Sequence, residues 1–437
     1  MKEKKSSRNG NVSWYSRRSF INLTSAAAGG FMLKPSGDGI IPGSVISSVF
    51  SKQNMNTDKT SLIGVYGQWA SGLLKGELPS FSFRRKEWSD IKAWRTAARK
   101  RAVERLAIPD IGGLPSVKID KQYTYDSLHI EELSWQLPYG RPTEAILLKP
   151  MNAKGPLPGI LAFHDHGANK YFGNRKITRT SDDRHPVMIA HQKEYYEDLA
   201  WANEIAKRGD VVLVPDAFPF ASRRVMMQDV PEHLRDGLDD NNPENADNIT
   251  AYNNWASEHE HIMAKSLFSA GTTWPGVFFA EDRKALDILS SRKDVIADKI
   301  GCGGLSGGGM RTVFMGGLDE RIKCAVCVGF MTTWKDLVIN KSFTHTWMTY
   351  VPLLPNELDF PEILGLRAPL PTLVLNDEQD DLYTPEGMKD SDNILREVFK
   401  KAKAEDHYRC SFYPGPHKFD KKMQGEAFSW FDKWLKS

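Results

Sequence analysis

Cysteine is scarce, with 4 among 437 residues, and so low a count argues against a disulfide-built scaffold. Cys302, Cys324, Cys327 and Cys410 all fall in apolar, strand-like runs and read as core thiols. Cys324 and Cys327 have C-x-x-C spacing, but on a strand such residues point to opposite faces, so they do not read as a redox pair. Long apolar runs are also missing. The best, 21–33, is short and diluted by Thr, Ser, Asn and two Gly, unlike an ordinary membrane span. The net charge is +3, with no basic tract outside the N-terminus, which argues against a nucleic-acid partner. No internal repeat is evident, and a propeller-type peptidase would need one.

Metal-ligand spacings are lacking too. His164 and His166 stand two apart, with no third and fourth ligand at a zinc-like interval. Glu258-His259-Glu260-His261 would not put its two histidines on one helix face. The acidic run Asp239-Asp240-Asn241-Asn242 fits no EF-type loop. Neither metal nor cofactor is expected.

The composition, 41% hydrophobic and 26% charged, is that of a soluble globular enzyme with a sizeable core. The 12 tryptophans mostly fill that core, although indole faces also stack on sugars. A lysine-rich start leads into Ser16-Arg17-Arg18-Ser19-Phe20-Ile21, which reads as a twin-arginine export signal. No clear A-x-A site follows, so cleavage and retention as an anchor both stay open. Residues 1–50 are then signal and linker, and 51–437 a single domain in the periplasm or outside the cell. That domain has an N-terminal extension, 51–125, with an amphipathic helix at 89–106.

From there strands and helices alternate. Strands are expected at 128–137 and 144–148 (a hairpin), then 159–163, 211–214, 300–305, 322–328, 371–375 and 408–413. Helices are expected at 194–208, 276–291, from 310, and at 386–404. A last helix carries Ala427, Phe428, Phe431, Trp434 and Leu435 on one face. The pattern implies an α/β fold with a mostly parallel central sheet covered by helices on both faces. One segment, 223–274, breaks the rhythm. It is polar, rich in Asp and Asn, and reads as a solvated insertion that covers or shapes a site.

The chemistry concentrates at strand ends. Gly304-Leu305-Ser306-Gly307-Gly308 has the G-x-S-x-G form of a nucleophile elbow. So sharp a turn needs glycine beside the serine, and it leaves the N–H of Gly307 facing a developing oxyanion. The acid and base should follow in the order Asp, then His. Asp380 lies past the strand at 371–375, with Asp381 as substitute and Asp377 shaping the turn. His417 sits in Pro414-Gly415-Pro416-His417, just past the last strand. A second oxyanion donor is expected on His164-Asp165-His166-Gly167-Ala168. There Gly167 lets the backbone turn and the N–H of Ala168 donates.

From about residue 80 onward, these pieces resemble the α/β-hydrolase superfamily, and within it bacterial dienelactone-hydrolase-like and acetyl-xylan-esterase-like proteins. The likeness rests on His164-Asp165-His166-Gly167 with Lys170-Tyr171-Phe172-Gly173, on Val214-Pro215-Asp216-Ala217, on the elbow, on Asp380 before Pro385, and on Pro414-Gly415-Pro416-His417. It implies Ser306 as nucleophile, His417 as base, Asp380 as its partner, and Gly307 with Ala168 as oxyanion donors. The chain departs from the pattern after Asp216. Relatives often have a G-F-G-x-R turn, and here the residues are Phe218-Pro219-Phe220-Ala221-Ser222-Arg223. Arg223 either reaches the pocket, where it would bind a uronate carboxylate, or stays on the surface. The implied function is an exported serine esterase removing acetyl or methyl groups from a small ester or an esterified polysaccharide fragment. A lactone hydrolase, a peptidase and an inactive carbohydrate-binding relative are the alternatives.

Overall fold

The apolar runs of the sequence become the centre of a nine-stranded sheet in the computed structural model, which describes residues 61–74, 78–241 and 243–437. The strands are β1 Val117–Tyr125, β2 Leu128–Trp135, β3 Thr143–Pro150, β4 Leu157–Phe163, β5 Val211–Pro215, β6 Val295–Leu305, β7 Ile322–Val328, β8 Thr372–Asp377 and β9 Tyr408–Tyr413. They lie in the order β1-β2-β3-β5-β4-β6-β7-β8-β9. The pairs β1–β2, β2–β3 and β3–β5 are antiparallel, and every later pair is parallel.

Parallel strands must be covered on both faces, and the period of two divides their side chains accordingly. Ile160, Ala162, Val212 and Val214 pack with Trp201 and Ile205 of helix Trp201–Lys207 and Phe428 and Phe431 of helix Lys421–Leu435. Leu161, Phe163 and Leu213 pack on the other side, with helices Ile91–Leu106, Trp274–Ser291 and Gly307–Leu318. Cys324 and Cys327 fall on opposite faces, and all four thiols are free. The N-terminal helix starts where the Asp90 side chain accepts from Lys92 N–H. It buries Trp94, Ala98, Ala102 and Leu106 at a helical repeat of four.

Several elements depart from the sequence expectation, among them the short helices Tyr66–Gly72 and Phe360–Gly365, which were not expected. The helix expected at 194–208 is two helices, Pro186–Tyr196 and Trp201–Lys207. Glu197 and Asp198 take φ of 55° and 64° between them, and a left-handed pair ends a right-handed helix. Strand β1 was not expected, because its side chains are mostly exposed and carry little apolar alternation. The insertion is not a solvated loop throughout. It contains the 24-residue helix Ala246–Ser269, capped by the Asn245 side chain on Asn248 N–H. Ile249, Tyr252, Ala256, Glu260 and Ala264 form its buried stripe. The acidic run before it serves the backbone: the Asp240 carboxylate accepts from Met227 N–H at 3.0 Å and Gln228 N–H at 2.8 Å.

The described residues pack within one unit spanning 58–437. The twin-arginine segment lies outside the described residues. Among those described, no helix is long and apolar enough to cross a membrane.

Candidate active site

Ser306 stands between the end of β6 and the helix Gly307–Leu318, with φ 59° and ψ −116°. That is a costly backbone for a residue with a Cβ. Its surroundings hold it there: Ser306 N–H donates to Val328 C=O and its own C=O accepts from Met310 N–H, both at 2.9 Å. The elbow glycines are needed for close approach. A Cβ on Gly304 would lie 2.3 Å from the Phe163 carbonyl oxygen, and one on Gly308 would lie 2.4 Å from it. Strand β4 and the helix could not both pack against the turn with larger residues.

Strands β8 and β9 end beside this turn and bring the next two groups together. His417 Nδ1 donates to Asp380 Oδ2 at 2.6 Å. Asp380 is buried, and its other oxygen accepts from Leu382 N–H at 2.9 Å. With the imidazole proton held on Nδ1, the lone pair is on Nε2, which is buried and has no hydrogen-bond partner among the described residues. Ser306 and His417 line the same cavity, of about 550 Å3. No hydrogen bond joins Ser306 Oγ to His417 Nε2 among the described residues, and a bond between nucleophile and base often forms only once a substrate is seated. Burial pulls the His417 pKa down, but the Asp380 hydrogen bond and the charges of Asp380, Asp377 and Asp165 outweigh it. The net shift is upward. Asp377 and Asp380 each offer an oxygen in a cluster with a His417 nitrogen no more than 4.8 Å across. Burial pushes the Asp377 carboxyl up to about 7. Its Oδ2 accepts from Lys418 N–H at 3.0 Å, so the side chain holds the loop that carries His417 rather than its own turn. Asp381 is exposed at the cavity wall and makes no bond to the imidazole among the described residues.

The loop after β4 runs beside the elbow. Gly167 and Ala168 both take φ of 48°, and a Cβ on Gly167 would meet Asp165 Oδ2 at 2.4 Å. The donor expected here differs from the one the structure presents. Ala168 N–H is spent within its own loop, donating to His166 Nδ1 at 3.1 Å. The N–H against Gly307 is that of His166, whose nitrogen would lie 3.0 Å from a Cβ built there. The main-chain nitrogens of Gly307 and His166 therefore lie close together beside Ser306.

Arg223 is brought neither to the surface nor to the cavity. Its guanidinium is buried against Glu281 at 2.7 Å, lies over the Tyr139 ring and donates to the Arg141 carbonyl. The buried ion pair holds it away from the cavity, whose wall it does not join, so it is not placed to meet a substrate carboxylate. Among the described residues, Arg311 is the one Lys or Arg side chain in the cavity wall, and Asp282 holds it through both oxygens. Glu194, Glu260 and Asp381 also line the cavity. So does His345, which burial pulls down to about 4, leaving a neutral imidazole.

Glu260 was passed over in the sequence, yet it ties three segments together. It accepts from His166 Nε2 at 3.1 Å and from Thr346 Oγ1 at 2.6 Å, and it pairs with Lys170 Nζ at 2.6 Å. Burial opposes its ionisation, but His166 and Lys170 prevail and hold the carboxyl well below the usual range. A carboxylate on the buried stripe of a helix is the signal that would have found it, had 246–269 been read as a helix.

A sheet in this order, with a strained serine at the turn after β6, is the α/β-hydrolase fold, as the resemblance implied. No family model matches the chain. Over 294 residues it is 26% identical to a Bacillus subtilis (strain 168) protein named "Putative hydrolase YtaP", covering 67% of this chain and 83% of that one. Among solved structures it is similar to a "putative acetyl xylan esterase" from Bacteroides fragilis NCTC 9343, with TM-score 0.58, 17% identity, and 82% and 84% of the two chains covered. It is also similar to a glucuronoyl esterase from Solibacter usitatus, with TM-score 0.54, 14% identity, and 82% and 97% covered.

Proposed function

We propose that the protein is a serine carboxylester hydrolase acting on an esterified carbohydrate, with Ser306, His417 and Asp380 as its triad. The observation that carries this reading is the 2.6 Å bond between His417 and Asp380, on the wall of the cavity that a strained Ser306 also lines. His417 Nε2 takes the proton of Ser306 as Oγ attacks the ester carbonyl. Asp380 keeps the imidazole in its tautomer and stabilises the imidazolium. The N–H groups of Gly307 and His166 receive the oxyanion. Collapse expels the alcohol, protonated by His417, and a water activated by the same nitrogen then releases the acid.

Two solved structures of similar fold are named as carbohydrate esterases, which supports the substrate class. The charges at the cavity favour one ester over the other. Arg223 is engaged away from the cavity and Arg311 is already paired with Asp282, while Glu194 and Asp381 line the cavity with no ion pair among the described residues. The unesterified carboxylates that flank the methyl esters of pectin would be repelled, so a neutral acetylated sugar is the better substrate. Screening acetylated xylan and methylated pectin tests this: acetate release from the first should exceed methanol release from the second at least tenfold. Methanol as the main product would overturn the assignment.

Export by the twin-arginine route belongs to the same reading and rests on residues 16–21. Replacing both Arg17 and Arg18 by Lys should leave the protein in the cytoplasm of its host on cell fractionation. Unchanged export of that variant would remove the signal.

A further inference from the structure

The N–H of His166 belongs to the peptide unit whose carbonyl is that of Asp165. In a trans peptide the C=O and N–H point in opposite directions across one plane. Whatever holds the carbonyl therefore aims the N–H. Two donors hold it. Lys176 Nζ donates to Asp165 C=O at 2.8 Å, and His164 Nδ1 lies 2.9 Å from the same oxygen.

The His164 tautomer follows from its other nitrogen. Nε2 accepts from Ala217 N–H at 3.2 Å, so the proton is on Nδ1, which donates. Burial, reinforced by Lys176 and Arg311, keeps this imidazole well below its ordinary pKa and therefore neutral. Lys176 also donates to His166 C=O at 2.8 Å, so it grips two successive carbonyls of the loop.

A fully buried lysine needs a reason for its charge, and neutralising Asp165 is the plain one. The distances point elsewhere. Lys176 Nζ is 3.6 Å from Asp165 Oδ2, farther than from either carbonyl. Asp165 Oδ1 already accepts from His191 Nε2 at 3.1 Å and Tyr196 O–H at 2.5 Å. Oδ2, the oxygen 3.6 Å from Lys176, is buried with no hydrogen-bond partner among the described residues, so Lys176 spends its N–H groups on the two carbonyls instead. The ammonium also sits 4.8 Å from the centre of the Phe220 ring. Its burial pulls it down to about 8, with Asp165 opposing, which leaves it charged at neutral pH.

We infer that Lys176 and His164 are positioning residues that fix the Asp165–His166 peptide, so that its N–H serves as the second oxyanion donor beside Gly307. An ammonium on the carbonyl also polarises the peptide and strengthens the N–H at its other end. The inference rests on the serine-esterase reading, and the test separates the two.

The test compares Lys176→Met, His164→Phe and the double variant with the wild type, all first checked for folding by circular dichroism. A fluorophosphonate probe reads the site without the natural substrate. Ser306 Oγ displaces fluoride at phosphorus, and the phosphoryl oxygen takes the place of the oxyanion. Misaiming one donor should cost roughly ten- to a hundredfold in labelling rate, short of the loss expected when a donor is removed outright. On p-nitrophenyl acetate the loss should fall in kcat, with KM within about threefold, because the oxyanion exists only beyond the ground state. The two losses should not multiply in the double variant, since both act on one carbonyl.

A folded Lys176→Met variant that labels at the wild-type rate, or that loses activity through KM alone, would overturn the proposal. If that variant does not fold, His164→Phe decides by the same criteria. Failure of the wild type to label at Ser306 would remove the nucleophile, and this proposal with it. Normal wild-type labelling with unaltered variants would remove only the positioning role.

Discussion

Ser306→Ala is expected to lower kcat on p-nitrophenyl acetate by roughly a millionfold, the scale seen when a triad serine alone is removed. The loss is this large because the other two members have nothing to activate once the hydroxyl is gone. What survives is binding and the two main-chain donors. The fold should be kept. Ser306 is held through its backbone, on Val328 and Met310, and its Oγ makes no hydrogen bond among the described residues. An alanine faces the same left-handed backbone without new strain. Thermal melting alongside the assay separates the two effects, and turnover above about one part in a hundred in a folded variant would remove Ser306 as the nucleophile.

Asp380→Asn should cost roughly 10⁴-fold in kcat, because an amide that presents its NH2 group to Nδ1 forces the proton onto Nε2, where the base is needed. The pH profile adds a second reading with a definite sign. His417 acts as a base only when neutral, and its pKa is raised from 6.5. The acid limb of kcat/KM should therefore lie above the ordinary imidazole range. In Asp380→Asn the largest upward influence is lost while burial remains, so the residual activity should show its acid limb at lower pH. An acid limb that stays in place would assign it to another group. A loss of less than about tenfold would mean that Asp377 or Asp381 can take over, although neither makes the bond in the structure.

Much of this candidate site is legible in the sequence alone. The elbow, the acid and the base each sit just past an apolar strand, and strands β7 and β9 run as expected, at Ile322–Val328 and Tyr408–Tyr413. Such elements announce themselves locally, through periodic burial and through the turn residues that end them. Strand β1 did not, because an exposed edge carries no apolar alternation. Helix Ala246–Ser269 was hidden by its composition. Asp and Asn at its start read as loop, and its buried stripe includes a carboxylate where an apolar residue was looked for.

Local pattern reaches as far as the alternation of strands and helices, the place of the serine turn and the strand-end positions of the acid and base. Each of those depends on neighbours a few residues away, whereas the order of the strands does not. The approach of the His166 main chain to Gly307, the engagement of Arg223 and the contacts of Glu260 were decided only in three dimensions. Arg223 meets Glu281 across 58 residues, and His166 meets Glu260 across 94. No turn signal or periodicity encodes a pairing at that range. The direction of a single N–H depends on which distant side chain holds the carbonyl behind it, and that choice is made when the chain packs.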